Sequence, residues 1–319
     1  MSGGKSILAL VLPADRAREF LAAVRSEERC ARVTDVLVQQ AGRTLVAHSV
    51  TPGAARDLFS VTKTVLTILT GIAVDRGLLD PERPVRESPG MAEFDSLGAQ
   101  TVRHLLTMTR GAAVGGEYDL DEVAVGAHNW AAAFARSPQL FPPGTHFAYD
   151  NGASQLLAEA VHRAVPGGLQ AFAVDNLFAP LRISGVRWDA DPSGTPCGAA
   201  HLHLSAGDLA RVGRLLLDGG AAGGRRVVPA DWVAGMGEAA TSGGPPEHRP
   251  FGEGLWLEAD GSFFGAGWAG QLLYCRPADG LVLVTLSDPA FEYGPPATDQ
   301  MPPDWLAPLQ IARSTLLAA

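Results

Sequence analysis

Lysine is nearly absent from this sequence. Of the 25 basic residues in the 319-residue chain, only Lys5 and Lys63 are lysines, and the other 23 are arginines. Arginine keeps its proton at any useful pH, whereas a buried lysine can lose one. That contrast draws attention to Lys63, the one lysine away from the terminus. Cysteine is scarce as well. Cys30, Cys197 and Cys275 lie far apart, show no metal-ligand spacing and cannot all pair, which fits a reducing compartment. Runs of positive charge are missing, and the net charge is −9. An acidic chain without a basic patch is a poor candidate for binding nucleic acid or an anionic membrane, and neither partner is expected. No apolar run approaches the roughly 20 residues that span a bilayer. The apolar stretch from Ile7 to Leu12 is short, and a charged segment follows where a signal peptide has its small-residue cleavage site. We therefore expect no signal peptide and a cytoplasmic protein. Gly4-Lys5-Ser6 matches the end of a P-loop but has no room upstream for the rest of it.

What is present suits a folded enzyme-sized chain. Hydrophobic residues make up 46% and charged residues 18%, and 37 glycines and 23 prolines are spread along the sequence as turn formers. The length allows one large domain or two of about 150 residues. Helical periodicity marks residues 14–29. Residues 33–50 read as a hairpin turning at Ala41-Gly42. A helix is expected from Ser60 to about Arg76, ended by Gly77. Thr101 caps a short helix, residues 111–126 form a Gly-rich acidic loop, and a helix runs from about Ser154 to Ala164. Ser205 opens a further helix. Strands return at Leu255–Glu258, Gln271–Arg276 and Leu281–Ser287, before a final helix over about 304–317. Strands at both ends and helices between them predict one antiparallel sheet flanked by terminal helices, with a helical region inserted. The division expected is residues 1–77 with 222–319 as an α/β sandwich domain and 78–221 as a mostly helical insertion, with the active site between them.

Lys63 follows Ser60 by three residues in Phe59-Ser60-Val61-Thr62-Lys63-Thr64, so a helix places both side chains on one face. The start of a helix supplies positive potential and free N–H groups near the serine oxygen. A serine that becomes acylated and holds an oxyanion needs both. Burial and that potential would lower the lysine pKa and make it a proton acceptor. Lys5 also has a serine three residues earlier, Ser2, but in a terminal tail. As an N-cap, Ser60 would be purely structural. Tyr149-Asp150-Asn151 adds a phenol able to pass protons and an amide donor and acceptor two residues apart; alone, it reads as a turn before a helix.

Together these motifs are similar to those of the serine β-lactamase and DD-peptidase superfamily, within it the class C β-lactamase-like esterases and amidases. Ser60-x-x-Lys63 matches the first motif, and Tyr149-x-Asn151, with its Pro142-Pro143-Gly144 lead, matches the second. Residues 101–111 and 205–213 resemble two of the family's helices, and the match runs over about 33–317 in the family's order. The resemblance implies an α+β fold with a five-stranded antiparallel sheet flanked by helices and a mostly helical inserted domain. It also implies Ser60 as nucleophile, Lys63 as its activating partner, Tyr149 as shared proton carrier and Asn151 as a substrate-positioning residue. The oxyanion hole would be the backbone N–H groups of Ser60 and Trp268. The family's third motif, usually Lys or His, a small residue and Gly, falls here on Gly265-Ala266-Gly267; a register three residues later gives Trp268-Ala269-Gly270. Neither holds a cation. In the family that cation helps hold the carboxylate of β-lactams and peptidoglycan stems. The chain is therefore expected to be a serine hydrolase acting on an ester or amide through a Ser60 acyl-enzyme, or an acyltransferase in small-molecule metabolism. The alternatives are a true β-lactamase or DD-peptidase, and a catalytically silent binding protein of the same fold. No cofactor or metal is implied.

Other residues carry weaker signals. His201 and His203 alternate, so on a strand they would share a face as a metal pair or, more simply, as a polar cleft wall. His104 reads as structural, and His146 sits close enough in sequence to tune Tyr149. The acidic residues Glu117–Glu122, with Asp150 as a substrate-binding candidate, would favour an amine-bearing substrate; the plainer reading is a solvated loop. Trp130 and Trp256 read as packing residues able to line a cleft.

Overall fold

A computed structural model of the chain describes residues 12–288 and 305–317. The sheet is assembled from both ends of these residues. Its strands are β1 (Val33–Gln40), β2 (Arg43–Ser49), β3 (Thr241–Gly244), β4 (Arg249–Phe251), β5 (Trp256–Leu257), β6 (Phe263–Gly267), β7 (Gln271–Arg276) and β8 (Leu281–Ser287). The spatial order is β2-β1-β8-β7-β6-β5-β4-β3, antiparallel throughout. The strands expected from the sequence, β1, β2, β5, β7 and β8, all lie in this sheet, and β6 enters between β5 and β7. Three short strands continue it past β6, because the segment from 241 to 257 adds hydrogen-bonded pairs on that edge.

Local chemistry explains the hairpin. Ala41 (φ 48°) and Gly42 (φ 78°) both take the left-handed conformation between Gln40 and Arg43, the geometry that a two-residue turn between twisted strands requires. In β8 every residue is buried, and the strand has neighbours on both edges. Helices α1 (Ala14–Ser26) and α5 (Ala307–Thr315) pack together against β1, β2 and β7. Helix α4 (Ala206–Leu217) packs on β1, β7 and β8. There Gly213 permits close approach: a Cβ on it would lie 2.8 Å from Leu273 Cδ1 and 2.9 Å from Val282 Cγ1.

Helix α2 (Thr62–Asp75) is buried from Thr62 through Ala73, as expected of a helix that is apolar all round. Its partners include α3 (Asn151–Ala164). Trp232 lies across Gly71 and donates its indole N–H to the Thr67 carbonyl at 3.1 Å. Residues 78–221 are largely helices and turns, apart from a three-stranded sheet in which Arg56–Asp57, Leu202–Leu204 and Arg187–Trp188 pair. No helix among the described residues is long and apolar enough to cross a membrane. Lys5 and the segment from Ile7 to Val11 lie outside the described residues, as does residue 304 of the expected last helix.

Candidate active site

Ser60 does not cap a helix. It sits inside a 3-10 turn, Phe59–Val61, that leads into α2, whose cap position is Val61. The turn begins at Phe59 with φ 45°, a left-handed conformation that costs a bulky residue about 1–3 kcal/mol. Something must hold it. The Phe59 N–H donates to Asp57 Oδ1 at 2.8 Å, and the Leu58 N–H donates to the Leu202 carbonyl at 2.8 Å. Ser60 is only partly buried and so remains reachable at the surface of an otherwise enclosed turn.

Lys63 lies one turn along, 4% exposed. Its Nζ is 2.9 Å from Ser60 Oγ and 2.9 Å from the Ala199 carbonyl oxygen. Nζ also stands 5.0 Å from the centre of the Tyr149 ring. Burial brings the lysine pKa down to about 7, against smaller opposing effects from Cys197 and Asp150. Near neutral pH much of the amine is therefore uncharged and able to accept a proton along the line to Ser60 Oγ. Burial pushes the Tyr149 phenol well above the usual tyrosine range, against a smaller lowering effect from Ser60. Tyr149 stays protonated, so it can hand on a proton but does not wait as a phenolate.

Aromatic packing fixes the phenol. Tyr149 stacks on Trp256 with ring centres 5.8 Å apart and planes 17° apart. Trp256 in turn meets Phe251 and Phe147. Ser60, Lys63, Thr64, Tyr149, Trp256 and Gly265 line one small cavity. Trp256 thus does both jobs expected of it, whereas Trp130 is a buried residue at the start of the short helix Trp130–Ala135.

The strand beside the serine turn is β6, which carries Gly265-Ala266-Gly267, the first of the two registers considered. A Cβ on Gly265 would lie 2.8 Å from Thr64 Oγ1, and one on Gly267 would lie 2.5 Å from the Leu58 carbonyl oxygen. Glycine is required there by contact with the segment carrying Ser60. Ala266 stands between them, and Trp268 follows at the turn into β7, its ring 5.4 Å from that of Phe59.

Other expected residues fall differently. Asp150 is buried and fully engaged: it pairs with the buried Arg110, and its Oδ1 accepts the Ala153 N–H at 3.0 Å as the cap of α3. Asp150 thus serves as the cap of α3 and the partner of Arg110. That cap also starts α3 three residues earlier than expected, so Asn151 is its first helical residue, with a buried Oδ1 that has no hydrogen-bond partner. His201 and His203 do not converge. His201 precedes the strand with φ 65° and gives its Nδ1 to Asp57 Oδ2 at 2.7 Å, while His203 faces Asp189 and Arg187. No metal-binding group of His, Cys, Asp or Glu occurs among the described residues. His104 completes a capping box with Thr101, and the exposed His146 stacks on Phe141 instead of touching Tyr149. Asp57, the Ala199 carbonyl and Arg110 carried no signal in the sequence, because each acts through contacts with distant segments.

Comparison with known proteins agrees with this geometry. A family model described as beta-lactamase matches residues 25–299. The 6-aminohexanoate-dimer hydrolase of Paenarthrobacter ureafaciens is 28% identical over 295 residues, covering 82% of this chain and 74% of that protein. Among solved structures, a penicillin-binding protein homologue from Caulobacter crescentus superposes with a TM-score of 0.69 at 18% identity, covering 87% of this chain and 92% of the other. EstCE1, a hydrolase with promiscuous acyltransferase activity, superposes with a TM-score of 0.66 at 16% identity, covering 86% and 94%.

Proposed function

Because the chain belongs to the beta-lactamase family and is an enzyme of the serine-hydrolase type, we propose that it cleaves an ester or amide of a small molecule through an acyl group carried on Ser60. The observation that supports this most directly is the 2.9 Å contact between Ser60 Oγ and a buried Lys63 whose pKa falls to about 7. In the first half-reaction Ser60 Oγ attacks the carbonyl carbon and its proton passes to Lys63 Nζ. The backbone N–H groups of Ser60 and Trp268 hold the resulting oxyanion. Tyr149, which lines the same cavity as Ser60 and Lys63, relays the proton to the departing alcohol or amine as the bond to it breaks. Water, an alcohol or an amine then attacks the acyl-enzyme and the same groups run in reverse. Asn151 and residues 265–267 flank the substrate. We assign residues 1–77 with 222–319 to one body of the enzyme and 78–221 to the other.

Two features favour this over β-lactam hydrolysis. The third motif offers Gly265 where a cation would hold a β-lactam carboxylate, and the Paenarthrobacter ureafaciens relative is named a 6-aminohexanoate-dimer hydrolase. Acyl transfer to an amine or alcohol is the companion reaction, as the name of EstCE1 suggests for that protein. The test is hydrolysis of short-chain p-nitrophenyl esters by purified protein. Wild type should turn them over, Ser60→Ala should not, and nitrocefin should be the poorer substrate. Full activity in Ser60→Ala would refute the mechanism.

A further inference from the structure

Two residues in this site hold the left-handed conformation without being glycine: Phe59 at φ 45°, immediately before Ser60, and His201 at φ 65°, two residues after the carbonyl that receives Lys63. One carboxylate touches both. Asp57 Oδ1 accepts the Phe59 N–H at 2.8 Å and the His201 N–H at 3.0 Å, and Asp57 Oδ2 accepts from His201 Nδ1 at 2.7 Å. From these contacts we propose that Asp57, with His201, is a positioning pair that sets Ser60 and Lys63 in register. The inference rests on Ser60 being the nucleophile.

The connectivity makes the case. The chain from Gly198 to His201 is fixed at both ends. At one end the Gly198 N–H donates to Gln155 Oε1 at 2.8 Å, and Gly198 packs so closely on α3 that a Cβ would lie 2.1 Å from the Ser154 carbonyl. At the other end is Asp57. Between them the Ala199 carbonyl receives Lys63 Nζ. On the opposite side Asp57 holds the first residue of the turn that carries Ser60. The two acceptors of Lys63 Nζ, Ser60 Oγ and the Ala199 carbonyl, are therefore both referred to one side chain. Charge-assisted bonds to backbone N–H groups are among the stronger ones available for such a task. The His201 ring meets Phe59 edge-on with centres 6.4 Å apart, and Phe59 meets Trp268, so the same clamp reaches the turn after β6. Asp57 touches no reacting atom. His203, two residues beyond on the pairing strand, is held separately by Asp189, which supplies a control.

The readout is the rate at which a fluorophosphonate probe labels Ser60 in the intact chain, followed by mass spectrometry. Wild type labels. Asp57→Ala labels about 100-fold more slowly, the loss expected when a reacting group is displaced by about 1 Å. Asp57→Asn recovers to within about tenfold of wild type, because its side-chain oxygen still accepts both backbone N–H groups while the bond from the imidazole is lost. His201→Gly, which suits φ 65° and keeps its backbone N–H, falls between the two and preserves the fold if Asp57→Ala does not. With p-nitrophenyl esters the same variants lower kcat and leave KM within about twofold of wild type, since the pair sets the reacting groups and not the substrate. Asp189→Asn labels as wild type does. Equal labelling of wild type, Asp57→Ala and His201→Gly would overturn the positioning role. So would equal impairment of Asp57→Ala and Asp57→Asn. Absence of labelling in wild type would instead overturn Ser60 as the nucleophile, so the two failures are distinct.

Discussion

At the scale of single residues, the chemistry turns on what burial does to a proton. Lys63 is enclosed by α2 and the segment around Ala199, and loss of solvation depresses its pKa to about 7. The base form therefore accumulates as pH rises, so kcat/KM for an ester should climb about tenfold per unit below pH 7 and level off above it. Lys63→Arg cannot deprotonate and should lose about 10²–10⁴-fold at every pH; a variant with an unshifted profile and near-normal rate would remove Lys63 from the role of base. Glu247 is the opposite case. Both of its carboxylate oxygens are buried without a hydrogen-bond partner, and burial raises its pKa to about 7 despite Arg249 and Arg313 nearby. The folded protein holds this proton more tightly than the unfolded chain does. The resulting stability is fully present below about pH 4.5, the ordinary value, and is lost as pH rises through about 7. At most it amounts to roughly 3 kcal/mol. Melting temperatures measured across that window should therefore fall less steeply for Glu247→Gln than for wild type; parallel slopes would show that Glu247 does not bind the proton.

At the scale of elements, the site depends on how near β6 passes to the turn before α2. That approach is set by glycine. At Gly267 the obstacle to a side chain is the Leu58 backbone carbonyl, 2.5 Å from where a Cβ would be, and backbone cannot swing aside. Gly267→Ala should cost about 1–3 kcal/mol in a urea titration, as over-packing does, and should slow ester hydrolysis by shifting Trp268. An unchanged midpoint would mean that β6 is free to move. Parts of this were legible from residues alone. Alternating strands and Ala41-Gly42 mark the first hairpin, and Ser-x-x-Lys marks the start of α2. The exact start of α3 was not legible, because it depends on Asp150 being free to cap. Nor was the 3-10 turn at Ser60, because the conformation of Phe59 is imposed by Asp57 and not by its own preference.

At the scale of the whole molecule, the site gathers side chains from residues 57–64, 149–151, 199–201 and 265–268, four stretches that meet only because strands from both ends of the chain share one sheet while α2 and α3 pack beside it. The sequence by itself determined what could be encoded locally: three-residue spacing brings Ser60 and Lys63 to one side of the chain where α2 begins, Tyr149 follows its Pro-Gly lead, and residues 265–270 hold no cation. Only the tertiary structure decided which side chains complete that chemistry. The same Tyr-Asp-Asn triplet contains the proposed proton carrier, a helix cap and a buried amide, and nothing in their order tells them apart until Arg110 claims Asp150. Asp57 and His201 are separated by 144 positions. Hydrogen bonds act over about 3 Å, so a role that consists of such bonds has no trace in sequence until folding brings the partners together.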